Sequence, residues 1–258
     1  MLKNGTLKGL VPFYINLSRL RRPKTIMSTH SSKIDEMFKA GTHFGYSKSR
    51  RHPTTAQFVF NTKNGVDIIN IEKTEEQLAK VTEYIASLAQ SGKTIMFVGT
   101  KAEAKQAITE HALSLGMPYV IERWIGGTLT NFPEIKKRIT KLLDLRDQKE
   151  KGGLDKYTKK ERLLIDREMA DMTKNFQGVT GVIKTPDVMF VIDPKKEHIA
   201  VTEAHKMKIP VIGVLNTDCN IKEVEYPIVG NDGSVSSIAF FVEQIASAYK
   251  KGAMGEAK

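Results

Sequence analysis

Two histidines, one lysine and two arginines stand within ten residues of one another, interleaved with two rings, in HFGYSKSRRHP at 43–53. Cations and rings at this density suit RNA. Lys48, Arg50, Arg51 and His52 would neutralise phosphates, while Phe44, Tyr46 or the guanidinium planes stack on exposed bases. A second stretch, RWIGGTLTNF at 123–132, contains the only tryptophan. Arg123 brings charge and Trp124 a ring; Thr128, Thr130 and Asn131 bring hydrogen bonds to phosphate or sugar. The paired glycines admit a second backbone at close range. A competing reading places Trp124 in the core and gives the glycines a tight turn. A third group is the basic face formed by Lys136, Lys137, Arg138, Lys159, Lys160 and Arg162. Lys63, beside Asn64-Gly65, is a further candidate RNA contact.

Nucleotide chemistry is less well served. SGKT at 91–94 looks like the end of a Walker loop, but Ser87 stands where the first glycine belongs. It also precedes a strand, whereas a phosphate cradle follows one and opens a helix. The turn in that position is Gly99-Thr100-Lys101, with one glycine where the dinucleotide fingerprint uses three. A Rossmann-type enzyme using Gly99–Lys101 and Asp193 is the alternative function. Asp193 and Asp218 follow predicted strands and are magnesium candidates, though caps and loop bonds are the commoner use. His198 and His205 are seven residues apart beside Glu197 and Glu203, a spacing more often surface than metal site. Cys219 has no base beside it in the sequence. These residues point to no catalytic group, metal or cofactor.

The elements that must position these residues alternate in type. QFVF (57–60) and VDIINI (66–71) read as strands around an Asn-Gly hairpin turn. Helical spacing follows over 72–90, then a strand at 94–98, a helix at 101–115 and a strand at 118–121. DVMFVID (187–193) and PVIGVLN (210–216) are continuous apolar runs, as in strands covered on both faces. They flank a helix at 195–207. YPIVG reads as a last strand and 234–251 as a closing helix. The alternation predicts a Rossmann-like, doubly wound, mainly parallel α/β sheet. Residues 132–177 interrupt it with two apolar seams, Ile135-Ile139-Leu142 and Ile165-Met169-Met172-Phe176, split by Gly152-Gly153. That pattern predicts an inserted helical hairpin, coiled about its seam, with Asn131 as its first cap. Its 13 basic and 9 acidic side chains between Glu134 and Lys174 make the outer faces polar.

At 258 residues and net charge +11, the chain favours a polyanionic partner. Residues 1–34 hold seven Lys/Arg and no acid; the rest holds 33 basic and 29 acidic side chains. The leader resembles a basic arm or an organellar transit peptide, or is an upstream extension to a start at Met27, the reading favoured here. The expected organisation is a basic extension over 1–27 and one α/β domain over 28–258. In that domain Ser31 or Ser32 caps a short helix ending at Gly41. A single cysteine fits a reducing compartment, and no apolar run approaches the roughly 20 residues of a membrane helix.

AGTHFGYSKSRRHP, VDIINIEKT, IMFVGTK, ERWIGGTLTNF, YTKKERL and FVIDPKKEHIAVTEAHKMKIPVIGVLNTD follow one another in the order of a known family. Over roughly residues 30–250 the chain resembles the bacterial small-subunit ribosomal protein S-two family. The resemblance implies a Rossmann-like domain with a coiled-coil hairpin and no enzymatic role. It implies binding to small-subunit ribosomal RNA and docking of neighbouring ribosomal proteins, including the large S-one protein, on the cytoplasmic ribosome. Tyr46 and Ser47 stand where the family usually has His-Gln, Asn216 stands at an aspartate position, and the acidic tail is reduced to MGEAK.

Overall fold

Three continuous apolar runs build the centre of the molecule: β4 (Ile95–Val98), β6 (Val188–Ile192) and β7 (Val211–Leu215). Every residue in them is buried, as strands covered on both faces require. The computed structural model describes residues 28–154, 156–182 and 184–255. The extension expected over 1–27 lies outside the described residues. β5 (Tyr119–Val120) and β8 (Tyr226–Val229) complete a parallel sheet in the order β5-β4-β6-β7-β8. Winding therefore reverses between β4 and β6, and the crevice at their carboxyl ends is where sheets of this order hold ligands.

Successive side chains of each strand point to opposite faces, and two cores result. Ile95, Phe97, Phe190 and Ile212 pack with α2 (Ile71–Gln90), α3 (Ala102–Leu115) and α7 (Val235–Ala253). On the other face Met96, Val98, Met189 and Val191 meet α6 (His198–Lys206), Trp124 and the bases of α4 (Phe132–Glu150) and α5 (Lys159–Phe176). The Rossmann-like α/β reading holds.

α4 and α5 pair through the predicted seams: Ile135, Ile139, Leu142, Met169 and Phe176 are buried. Lys141–Glu168, Lys149–Asp166 (2.7 Å) and Arg146–Thr173 (2.9 Å) tie the helices on the outside. Thr158 and Glu161 form a capping box at the start of α5, satisfying two otherwise unpaired backbone donors. What the structure establishes is this pairing; a coil about the seam is an expectation only. Asn131 precedes α4 but makes no side-chain cap. Its backbone (φ −132°, ψ 45°) departs from the extended form a cap residue takes, because its N–H already closes a turn onto Gly127.

The amino-terminal part differs more from expectation. α1 spans Ser28–Ala40, so Ser31 and Ser32 lie inside the helix rather than at its cap. Residues 44–47, to which the sequence pattern assigns no strand, form β1 (Phe44–Ser47). It pairs with β3 (Val66–Ile69), and β3 with β2 (Val59–Lys63), in a small antiparallel sheet ordered β1-β3-β2. Its hairpin turn is the predicted one, with Asn64 at φ 52° and Gly65 at φ 77°, both in the left-handed region that a type I′ turn demands.

Candidate nucleic-acid interface

The small sheet is fixed to the carboxyl edge of the large one through Thr217, which follows β7 and is fully buried. Tyr46 N–H donates to the Thr217 hydroxyl (3.1 Å), while His52 N–H (2.8 Å) and the Thr55 hydroxyl (2.7 Å) donate to its carbonyl. The basic segment between Tyr46 and His52 is thus pinned at both ends. Contact is so close that a Cβ on Gly45 would lie 2.8 Å from the Thr217 methyl and 3.0 Å from the Asp67 carbonyl. Only glycine fits there.

The five basic residues of this region divide into two kinds. Arg51 turns inward: its Nε donates to Asp67 at 2.6 Å, its Nη2 bonds the other Asp67 oxygen, and the same Nη2 reaches Thr62 at 2.8 Å. Asp67 is completely buried, and the Arg51 fork beside it holds its carboxyl below the usual carboxylate range. His52 caps the turn that follows, its Nδ1 2.8 Å from the Thr54 hydroxyl and accepting from Thr54 N–H. Lys48, Arg50 and Lys63 are exposed. Strand register aligns Ser47 with Val66 and Val66 with Lys63, and Lys48 N–H bonds the Gly65 carbonyl at 2.9 Å. These links gather Lys48 and Lys63 at the turn end of the sheet. Arg50 lies over the Tyr46 ring at 5.9 Å, so Tyr46 serves a cation rather than a free base.

The RWIGGTLTNF loop proves to be organised about a side chain that sequence reading left unassigned. Glu203, buried on α6, accepts from the N–H groups of Gly127 (2.7 Å), Leu129 (3.0 Å) and Thr130 (3.3 Å). The Trp124 indole (3.3 Å) and Thr130 hydroxyl (3.3 Å) also donate to it. Burial raises the Glu203 pKa, but these donors outweigh burial and hold it below the usual range. Trp124 is 6% exposed and belongs to the core, so the competing reading is the correct one. Thr128 is buried and bonds the Ile125 carbonyl. Arg123 and Asn131 are exposed on the outside of the loop. A clue was present: Glu203 shares a helical face with buried Ala200 and Ala204, and a carboxylate on such a face needs donors from elsewhere.

The third group does not form one surface. Lys136, Lys137 and Arg138 are exposed near the base of α4, and Lys137 pairs with Glu134 at 2.7 Å. Lys159 and Lys160 begin α5 at the far end of the hairpin, about 20 Å away at 1.5 Å per helical residue.

The crevice between β4 and β6 is filled by the protein itself. Lys101 Nζ lies 2.8 Å from Asp193 and 2.7 Å from Asp232, with 13% of its side chain exposed. It also reaches the Tyr46 hydroxyl at 3.5 Å. Burial opposes the charge, yet the two carboxylates overcome it and raise the Lys101 pKa. Burial pushes the Asp232 carboxyl up, and the Lys101 ammonium, engaged by both carboxylates, is not free for a phosphate. Thr100 N–H, the donor a phosphate would use, is bonded to Glu197 at 3.2 Å. Gly99 is required for packing, since a Cβ there would lie 2.6 Å from Ile108. Asp218 pairs with Lys195 (2.8 Å). His205 faces Glu225 at 3.4 Å, so three of the four residues weighed as metal ligands, Glu197, Glu203 and His205, are drawn to separate partners.

An α/β domain with its ligand crevice closed by its own ion pair, and with cations presented on rims and loops, is a binding scaffold rather than a nucleotide-dependent enzyme. The sequence pattern of the family described as Ribosomal protein S2 matches residues 37–252, and the chain belongs to that family. Among similar proteins, a small ribosomal subunit protein uS2 of Dictyoglomus turgidum is 41% identical over 85% of this chain and 89% of its own length. The protein of the same name from Rhodococcus opacus is 39% identical over 87% of this chain and 78% of its own. The family is that of a structural ribosomal component, not an enzyme.

Two outcomes follow from the buried charges. Arg51→Ala strands Asp67 and should cost about 3–5 kcal/mol in urea unfolding, whereas Arg50→Ala should change stability by less than about 0.5 kcal/mol; equal effects would contradict this division. Glu203 has a folded pKa below its unfolded one, so its ionised form contributes stability above the unfolded value, near 4.3, that is lost as pH falls through the folded value. The stability gap between wild type and Glu203→Gln should be constant at neutral pH and narrow below about pH 4.3. A pH-independent gap in urea titrations would refute the assignment.

Proposed function

We propose that this chain is a structural constituent of the cytoplasmic small ribosomal subunit that binds ribosomal RNA and docks neighbouring ribosomal proteins in support of translation. Family membership supplies the setting. The observation that carries the RNA contact is the convergence of Lys48 and Lys63 at the turn end of the small sheet, with Arg50 exposed over the Tyr46 ring. None of the three forms an ion pair among the described residues. Arg123, Lys136, Lys137 and Arg138 add exposed charge at the loop and hairpin base, and Lys159 and Lys160 at its far end. Arg51, His52, Trp124, Thr130 and Asn131 act on RNA indirectly, by holding the shape of the segments that carry those cations.

A different surface supports the protein partners, the S-one protein among them. Phe38, Phe44 and Phe60 are 56%, 51% and 74% exposed. The His43 ring lies between Phe38 (4.4 Å) and Phe44 (4.1 Å). Burial lowers its pKa and its Nδ1 has no hydrogen-bond partner, which keeps this stack uncharged at neutral pH. Exposed rings stacked side by side, Phe38 and Phe44 about His43, support an interaction face here. No helix among the described residues is long and apolar enough to cross a membrane.

A Lys48→Gln/Arg50→Gln/Lys63→Gln variant should unfold at the wild-type urea concentration. Its log affinity for small-subunit ribosomal RNA should depend less steeply on log salt, by about 0.7–0.9 for each phosphate no longer neutralised. An unchanged slope would overturn the site. Phe44→Ser/Phe60→Ser should enter subunits at wild-type level in sucrose gradients, yet recover less S-one protein on them; undiminished S-one content would remove that role from the aromatic face.

A further inference from the structure

We propose that the opposite edge of the large sheet carries a second RNA phosphate site, in the bay between the end of α6 and the segment entering β8. This rests on the RNA-binding reading above and extends it to a second, separate contact. The bay has a volume of about 500 Å³ and is lined by His205, Lys208, Ile209, Pro210, Lys222 and Glu225, among others. Lys208 and Lys222 are exposed and form no ion pair among the described residues. The facing acid, Glu225, is engaged on both oxygens, by Val211 N–H at 2.8 Å and by His205 at 3.4 Å. Glu223, the other acid of the segment, accepts from Asn220 at 3.1 Å. Two lysines against the one carboxylate in the lining give it a formal charge of +1.

The backbone makes Lys208 unusual. α6 ends in a Schellman turn: Lys208 N–H bonds the His205 carbonyl (3.0 Å) and Ile209 N–H the Ala204 carbonyl (2.9 Å). Lys208 occupies its left-handed position at φ 56°, where glycine is the default because a Cβ is disfavoured. A lysine placed against that backbone preference, at the lining of the bay, is charge retained at a site the fold would rather give to glycine. Non-glycine residues in this region concentrate at functional sites. The five residues of β7 separate this edge from the one bearing Lys48 and Arg50, about 15 Å at 3.3 Å per residue. The two sites therefore meet different stretches of RNA backbone.

Lys208→Gly removes the charge and relaxes the backbone together, so loss of binding cannot come from loss of fold. The full chain should be titrated with in vitro transcribed bacterial small-subunit ribosomal RNA across a salt series. Lys208→Gly should unfold at the same or higher urea concentration than wild type. Lys208→Gly/Lys222→Gln should flatten the log–log salt slope by about 1.4–1.8. An unchanged slope in this variant, alongside a reduced slope in the Lys48/Arg50/Lys63 variant, would overturn the second site alone. Wild-type protein that binds no RNA would overturn the RNA-binding reading itself. Normal RNA affinity with poor entry into subunits would assign the bay to an acidic protein neighbour and overturn the proposal.

Discussion

A buried ammonium between two carboxylates closes the place where a sheet of this winding would take a ligand. Lys101 belongs to the turn after β4, Asp193 to the turn after β6 and Asp232 to the loop after β8. Joining them ties three strand ends together across the switch point. Burial of such a group is costly and is offset only when the opposing charges and hydrogen bonds are well placed. Here the second carboxylate, the Asp232 carbonyl at 3.3 Å and the Tyr46 hydroxyl complete the set. Because Tyr46 belongs to β1, the same group also helps seat the small sheet. An architecture common among nucleotide enzymes is thereby turned into a rigid mount.

With that edge closed, the charge available for partners must lie elsewhere, and the fold separates it by location. Inward cations, Lys101 and Arg51, neutralise buried carboxylates and hold elements in register. Outward ones occupy a hairpin turn, a loop tip and helix surfaces. The hairpin α4/α5 extends this reach, but isolated helices of such length are marginal in water. Its base is accordingly built into the second core with Trp124 and Leu129, and the loop feeding it is organised around Glu203. Positioning of the arm thus depends on a buried carboxylate bonded to its own loop.

How far the sequence reveals this depends on the range of the interaction. β4, β6 and β7 were legible because burial on both faces leaves uninterrupted apolar runs, and the hairpin seams because helical spacing repeats. β1 was not: FGYS has a glycine, a polar end and no alternation, and becomes a strand only by pairing with β3. Arg50 and Arg51 are identical in type and adjacent in sequence. What distinguishes them is Asp67, sixteen residues away. Thr217 and Glu203 were invisible as organisers for the same reason, since their partners lie 171 and 76 residues distant. Local pattern predicts elements well; side-chain roles set by long-range pairing need the fold.

Two of the departures from the usual family pattern, Tyr46 and Asn216, come together at the switch point. Tyr46, where His is usual, brings a neutral hydroxyl to Lys101 at 3.5 Å. Asn216, where aspartate is usual, donates from its amide to Asp232 at 3.0 Å. An aspartate at 216 would set a third carboxylate beside Asp193 and Asp232 against a single ammonium, and like charges at that range destabilise one another strongly in a buried site. Asparagine instead satisfies the second Asp232 oxygen and leaves the charge count unchanged. Two residues 170 positions apart in the chain thus meet at one charged cluster, Tyr46 at Lys101 and Asn216 at Asp232.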